Sequence, residues 1–287
     1  MPSFDRRLTP ARPDLAAAHL KGIVEAADYA EGVTARVVEA LAPLRVAPRP
    51  DATLDTEALY GEELTIYDED EDGWAWVQLA RDGYVGYAPG GALLKTPRRT
   101  ATHVVTALRT FIFPARSIKE PPVTWASLGA ELRIVREVED RGRRFGILDS
   151  GGAVVMAHVR DIGFREADPV AVAERFLGAP YLWGGKSSFG IDCSGLVQTA
   201  LAAAGIAAPR DSDLQEANLG EAVALDPAQW RRGDILCWPG HVAFVRDADT
   251  ILHANAFHMA VAVEGRDAAL ARITAAGNTL RSVKRVG

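Results

Sequence analysis

Gly190-Ile191-Asp192-Cys193-Ser194-Gly195-Leu196-Val197-Gln198-Thr199-Ala200-Leu201 sets one of two cysteines where a glycine turn hands over to an apolar run. The run predicts a helix from Cys193 to about Ala204, stopped by Gly205. Asp192 suits the N-cap, which puts Cys193 in the first turn. There, unpaired N–H groups and the positive end of the helix dipole favour a thiolate. Such a setting lowers a thiol from about 8.5 toward neutral or below. A lone cysteine is also a common small core residue, and a reactive one needs a base.

Candidates for that base lie in Gly240-His241-Val242-Ala243-Phe244-Val245-Arg246-Asp247-Ala248-Asp249-Thr250-Ile251-Leu252-His253. Strands are expected at Ile235 to Trp238, His241 to Val245 and Thr250 to His253. A loop of three or five residues centred on Asp247 pairs 241 with 253 and sets both imidazoles on one face; a four-residue loop pairs 241 with 254. In the first case one imidazole takes the cysteine proton and the other holds its tautomer. Two surface histidines on a hairpin are the plainer alternative. A zinc site from Cys193, Cys237, His241 and His253 lacks the short ligand pairs of structural zinc sites, so no metal and no cofactor is expected.

The rest of the chain bounds the setting. At 287 residues, 48% of them hydrophobic, it is long enough for two or three compact units. A net charge of −6 without a Lys/Arg block gives no footprint for nucleic acid or an anionic membrane. Two cysteines make no disulfide framework, and the N-terminus has no apolar core before a cleavage site; a cytoplasmic, monomeric protein with a small-molecule partner is expected.

Residues 1–30 are polar, with one helical candidate around Leu15 to Ala27. From there the texture is β: Leu44 to Val46, Glu63 to Tyr67, Trp74 to Leu79, and Gly83 to Tyr87 after an Asp-Gly turn. Leu59-Tyr60-Gly61-Glu62-Glu63-Leu64-Thr65-Ile66 then recurs as Ser127-Leu128-Gly129-Ala130-Glu131-Leu132-Arg133-Ile134, and Leu44-Arg45 as Leu108-Arg109. Two copies of one β unit are expected, over 31–96 and 97–165. At Asp168-Pro169 the texture turns helical, Val170 to Phe176, opening an α+β domain over 166–287.

Pro180-Tyr181-Leu182-Trp183-Gly184-Gly185, Asp192 to Val197, Arg210-Asp211-Ser212 with Gln215, Gly233 to Trp238, Gly240-His241-Val242 and Leu252-His253-Ala254 occur in order. Together they resemble the NlpC-type family of papain-like cysteine peptidases. The resemblance implies an α+β, papain-like catalytic domain with Cys193 as nucleophile, His241 as base and His253 as the orienting residue. It implies Tyr181, Asp192, Ser194 and Ser212 in the substrate pocket, with Trp183 packing. The two β units resemble bacterial SH3-like barrels. Two of these before such a domain are similar to endopeptidases that cleave the γ-D-glutamyl-L-diamino acid bond of murein peptides during cytosolic recycling. In that likeness Asp211, with Glu57 and Tyr84, would meet the free N-terminal amine of L-Ala-γ-D-Glu-diamino acid. A wall-cleaving endopeptidase, an acyltransferase of the same fold and a non-catalytic wall-peptide-binding protein are the alternatives.

Overall fold

The computed structural model describes residues 4–286, and the chain divides into two compact units, up to Phe164 and from Arg165. No helix among the described residues is long and apolar enough to cross a membrane.

The first unit begins with a short parallel strand pair, β1 (Leu15–Ala17) and β2 (Asp28–Ala30), where a helix was expected. Here pairing at a distance overrides propensity: the Ala27 N–H donates to Pro13 O at 3.0 Å and Ala17 N–H to Pro10 O at 2.9 Å, so two proline carbonyls hold the segment extended. Arg12 lies with its guanidinium 4.4 Å from the Trp76 ring centre and pairs with Asp68, fastening this segment to the sheet that follows.

That sheet has seven antiparallel strands: β3 (Val33–Val37), β4 (Leu41–Arg45), β5 (Leu54–Leu59), β6 (Glu63–Glu69), β7 (Trp74–Leu79), β8 (Val85–Pro89) and β9 (Leu93–Lys95). Its inward residues, Val37, Leu44, Leu64, Val77, Leu79 and Tyr84 among them, form one core. The same succession then recurs in β10 (His103–Val105), β11 (Arg109–Phe113), β12 (Thr124–Ser127), β13 (Glu131–Leu132), β14 (Ile134–Asp140), β15 (Arg143–Leu148), β16 (Ala153–Val155) and β17 (Val159–Asp161).

The correspondence reaches single hydrogen bonds. Gly61 N–H donates to Val37 O, and Gly129 N–H to Val105 O, each at 2.9 Å; both glycines have positive φ, +82° and +87°. Leu44 pairs with Thr56 and Ile112 with Thr124. Leu44 therefore corresponds to Ile112, not to Leu108 as the local Leu-Arg match suggested, because the buried position is what the repeat preserves. Leu59 leaves the first core and packs in the second with Val105, Ile112 and Leu132, and Arg36 pairs with Asp149, so the two β units share one compact body.

The second unit runs α1 (Pro169–Glu174), α2 (Cys193–Ala203), α3 (Ser212–Asn218), β18 (Glu221–Val223), β19 (Ile235–Trp238), β20 (His241–Val245), β21 (Thr250–Asn255), β22 (Ala260–Gly265), α4 (Arg266–Ala275) and β23 (Ser282–Arg285). Its six strands form one antiparallel sheet in the order β18-β23-β19-β20-β21-β22. Helix α2 packs on β20 and β21, and α4 on β21 and β22. Three helices first and an antiparallel sheet after make this an α+β domain, with α4, where the expected order had no helix, inserted between β22 and β23.

Candidate active site

Helix α2 starts where the side chain of Asp192 caps it: Oδ1 accepts the Gly195 N–H at 2.7 Å. Every residue from Cys193 to Leu201 is buried, so the helix is held by packing on both flanks. Gly195 is required at this point, since a Cβ there would stand 2.3 Å from Gly185 O. The backbone of Gly184 and Gly185 can thus lie directly against the helix start.

The same carboxylate organises the approach loop. Asp192 also accepts the Gly184 N–H at 2.8 Å and both Nη atoms of Arg210, at 2.9 and 2.7 Å. Arg210, 1% exposed, donates onward to Ser194 Oγ at 2.9 Å and Gly185 O at 3.2 Å. A buried charge survives only when paired and hydrogen-bonded, and here both ions are. Asp192 is therefore turned toward protein donors.

Cys193 is 6% exposed, and its Sγ meets the N–H groups of Ser194 and of Val242, the residue after His241. The nucleophile candidate thus sits where α2 begins and β20 begins. His241 is placed by a two-residue turn, Pro239-Gly240, that pairs it with Trp238; Gly240 has φ +71°, the value such a turn needs at its second position. The two aromatic rings lie 5.5 Å apart.

The β20–β21 hairpin differs from the expected one. Val245 pairs with Ile251 and Phe244 with Leu252, so His253 falls opposite Ala243 and is diagonal to His241. The turn spans Arg246 to Thr250, where Asp247 Oδ1 accepts the N–H groups of Asp249 and Thr250 at 3.0 and 2.9 Å. That local turn, not a symmetrical loop about Asp247, sets the register. Diagonal neighbours on one face remain within reach of long side chains. His241 Nε2 and His253 Nδ1 are 2.9 Å apart.

The chain of contacts continues beyond the residues that motif analysis named. His253, 1% exposed, has Nε2 3.2 Å from Glu264 Oε2 on β22. Arg272 on α4 holds both Glu264 oxygens, Nε to Oε1 at 3.0 Å and Nη2 to Oε2 at 2.7 Å. The one sequence signal was Val261-Ala262-Val263-Glu264, an alternating strand with a charge on the face shared by Ala262, the partner of His253.

Burial governs the titration. It pushes the Cys193 thiol up to about 12, with the Asp192 carboxylate adding to the rise and the Val242 N–H opposing it. This reverses the lowered value expected from the helix start alone: removing the whole first turn from water outweighs its dipole. Burial likewise lowers His241 to about 3, with His253 and Arg272 adding to the fall, and lowers His253 to about 4 despite Glu264. At neutral pH the resting site holds a neutral thiol and two neutral imidazoles.

Of the other expected pocket residues, Tyr181 is close enough to Cys193 and Asp192 for both to raise its phenol, after burial. Asp211 and Ser212 begin α3, half-buried, one residue from the Arg210 clamp. Glu57 lies buried on β5, and Tyr84 is part of the first β unit's core. Trp183, expected to pack, is 63% exposed because the loop turns inward on Leu182, whose Cβ would be 2.6 Å from one at Gly190. Cys237 is buried mid-strand and raised to about 11 by burial. His253, His258 and Glu264 come within metal-sharing distance, but Arg272 occupies both Glu264 oxygens, so the set is suited to an ion pair and not to a cation.

Residues 44–93 match the bacterial dipeptidyl-peptidase SH3 domain, and residues 178–270 match the NlpC/P60 family. The chain is 29% identical over 242 residues to dipeptidyl-peptidase 6 of Lysinibacillus sphaericus, across 78% of this chain and 88% of that one. It is 28% identical over 204 residues to the γ-D-glutamyl-L-lysine dipeptidyl-peptidase of Bacillus cereus, spanning 64% of this chain and 59% of the relative. In fold it is similar to the crystal structure of an NlpC/P60 family protein from Bacillus cereus, with TM-score 0.70 at 23% identity over 88% of this chain and 99% of that one. By these matches, residues 178–270 form a domain similar to the NlpC/P60 family, and residues 44–93 ahead of it are similar to the bacterial dipeptidyl-peptidase SH3 domain.

Proposed function

We propose that this protein is a cysteine peptidase that hydrolyses the bond between γ-D-glutamate and an L-diamino acid, diaminopimelate or lysine, in murein peptides. Its substrate carries a free N-terminal L-alanine, and the enzyme works as a cytoplasmic monomer in the recycling of released peptides. The observation that carries the chemistry is the 2.9 Å contact of His241 with His253, set beside a cysteine at a buried helix start. The name of the Bacillus cereus relative supports the bond class, and that of the Lysinibacillus relative supports a dipeptidyl-peptidase.

Cys193 gives its proton to His241 as Sγ attacks the γ-glutamyl carbonyl carbon. His241 returns that proton to the amine of the diamino acid as the C–N bond breaks, and water then hydrolyses the thioester with His241 as base. Starting from two neutral groups, the step creates its ion pair only as the bond forms. The N–H groups of Val242 and Ser194 next to Sγ then steady the thiolate. Tyr181, Ser194 and Ser212 line the acyl side.

Asp211 is the partner of the substrate amine. It follows Arg210, whose guanidinium is clamped to Asp192 and Ser194 on either side of Cys193, so its backbone is held to the nucleophile's loop. An ammonium entering a partly dry pocket must meet a carboxylate or lose several kcal/mol of hydration.

The test is product analysis by mass on L-Ala-γ-D-Glu-diaminopimelate and its N-acetylated form. The free peptide should yield L-Ala-γ-D-Glu and diaminopimelate. Acetylation should lower kcat/KM at least about a hundredfold, equivalent to ~2.7 kcal/mol, and Asp211→Asn should narrow the gap. Equal rates on both peptides would point to an enzyme acting on intact wall.

A further inference from the structure

We infer that Glu264 is a positioning residue: acting through His253, it fixes the tautomer of His241 and leaves Nδ1 of His241 as the base. The inference refines the peptidase reading above and rests on it for its kinetic consequence, whereas the tautomers themselves can be read without turnover.

An ionised carboxylate has acceptors only. Glu264 is ionised, since Arg272 donates to both its oxygens at 3.0 and 2.7 Å. His253 Nε2, 3.2 Å from Oε2, must therefore carry its proton toward Glu264. A neutral imidazole has one such proton, so His253 Nδ1 presents a lone pair. His241 Nε2, 2.9 Å away, must then donate. His241 has no further proton, and Nδ1 is left as a lone pair.

In the opposite arrangement His253 would donate from Nδ1, His241 would accept at Nε2, and His241 Nδ1 would bear a proton and could take none from a thiol. Two neutral histidines facing each other satisfy either arrangement equally. Glu264 breaks that symmetry. Three elements contribute: His253 from β21, Glu264 from β22 and Arg272 from α4. His258, with Nδ1 3.0 Å from Asn255 Oδ1, is a further titratable group close to His253 and Glu264. It is held by Asn255 and leaves the His253–Glu264 contact intact.

Glu264 touches no reacting atom; it is coupled to the thiol by two imidazoles. Replacing it removes the group that selects the tautomer, and a fraction of the protein then rests in the form that cannot act as base. Such a loss appears in kcat and not in KM, because the acyl pocket is unaltered.

The experiment uses the full chain labelled with ¹⁵N-histidine, as parent, Glu264→Ala and Glu264→Gln. Two-bond ¹H–¹⁵N spectra at pH 7 distinguish protonated from bare ring nitrogens, and kinetics follow on L-Ala-γ-D-Glu-diaminopimelate. The parent should show both His241 and His253 protonated at Nε2. Glu264→Ala should move both toward Nδ1–H, lowering kcat about tenfold to a hundredfold with KM within about threefold; Glu264→Gln, whose amide can accept or donate, should move both by less. If Glu264→Ala unfolds, the isosteric Glu264→Gln supplies the reading. A parent with Nδ1–H on either histidine would overturn the inference, as would a folded Glu264→Ala, or Glu264→Gln where the alanine variant unfolds, with wholly parental tautomers and kcat. If no peptide is turned over, the spectra alone decide it: an Nε2–H pair that shifts in the variants upholds Glu264 while the substrate assignment falls.

Discussion

The guanidinium of Arg210 holds both carboxylate oxygens of Asp192, at 2.9 and 2.7 Å, inside the loop that precedes the nucleophile. The pair joins the α2 N-cap, Ser194 and the Gly185 carbonyl into one rigid turn. Removing one partner strands a buried charge. Arg210→Leu should destabilise the second unit by about 3–5 kcal/mol in denaturant titration. A change under about 1 kcal/mol would show that the clamp contributes little to the fold.

Cys193→Ala should abolish turnover and leave thermal unfolding close to the parent, because the Asp192 cap and the buried face of α2 do not depend on sulfur. Activity within about tenfold of the parent would remove Cys193 as nucleophile, since losing a covalent intermediate costs far more.

His241→Ala should be nearly as severe as loss of the thiol. His253→Gln should be milder, because an amide can still accept from His241 Nε2 at the 2.9 Å position. Steady-state kcat on the same peptide checks this, and equal losses would count against separate roles for the two rings.

Alkylation by iodoacetamide should distinguish burial from helix-start activation. With Cys193 raised to about 12 and Cys237 to about 11, the rate for Cys193 should climb roughly tenfold per pH unit from pH 6 to 9 without a plateau. Cys193 should still be labelled ahead of Cys237, which lies mid-strand at 1% exposure. A rate already level below pH 7 would mean that the helix start and His241 prevail over desolvation.

Acid should weaken the fold earlier than carboxylate titration alone requires. His241 and His253 bind protons only near pH 3 and 4, against 6.5 in the unfolded chain. Below pH 6.5 the unfolded chain takes up protons that the folded chain refuses, so stability is full above 6.5 and falls as pH drops toward 4. Each histidine contributes up to about 1.4 kcal/mol per pH unit in that window. Denaturation midpoints at pH 7 and 5 should differ by less in a His241→Gln/His253→Gln variant than in the parent; an equal difference would place the acid sensitivity elsewhere.

Much of the site was legible along the chain because it is built from local chemistry. Asp192 caps α2 through a contact three residues away, Gly205 ends it with φ +81°, and Pro239-Gly240 turns β19 into β20; each needs only adjacent backbone and one side chain. The repeat centred on Gly61 and Gly129 was visible for the same reason, since a positive φ at a strand end constrains residue type wherever it recurs.

What the order of residues alone determined was therefore the pieces: the helix that presents Cys193, the strands that carry His241 and His253, and the β character of the first unit. Tertiary structure decided how they meet. Register between β20 and β21 follows from the Asp247 turn and sets the histidines diagonally; the His253 contact to Glu264 and Arg272 joins three elements; and β1 forms in place of a helix because Asp28–Ala30 lies beside it. The Cys193 thiol is raised, where its helix position predicted the opposite, because desolvation depends on everything packed around a group and not on its neighbours in sequence.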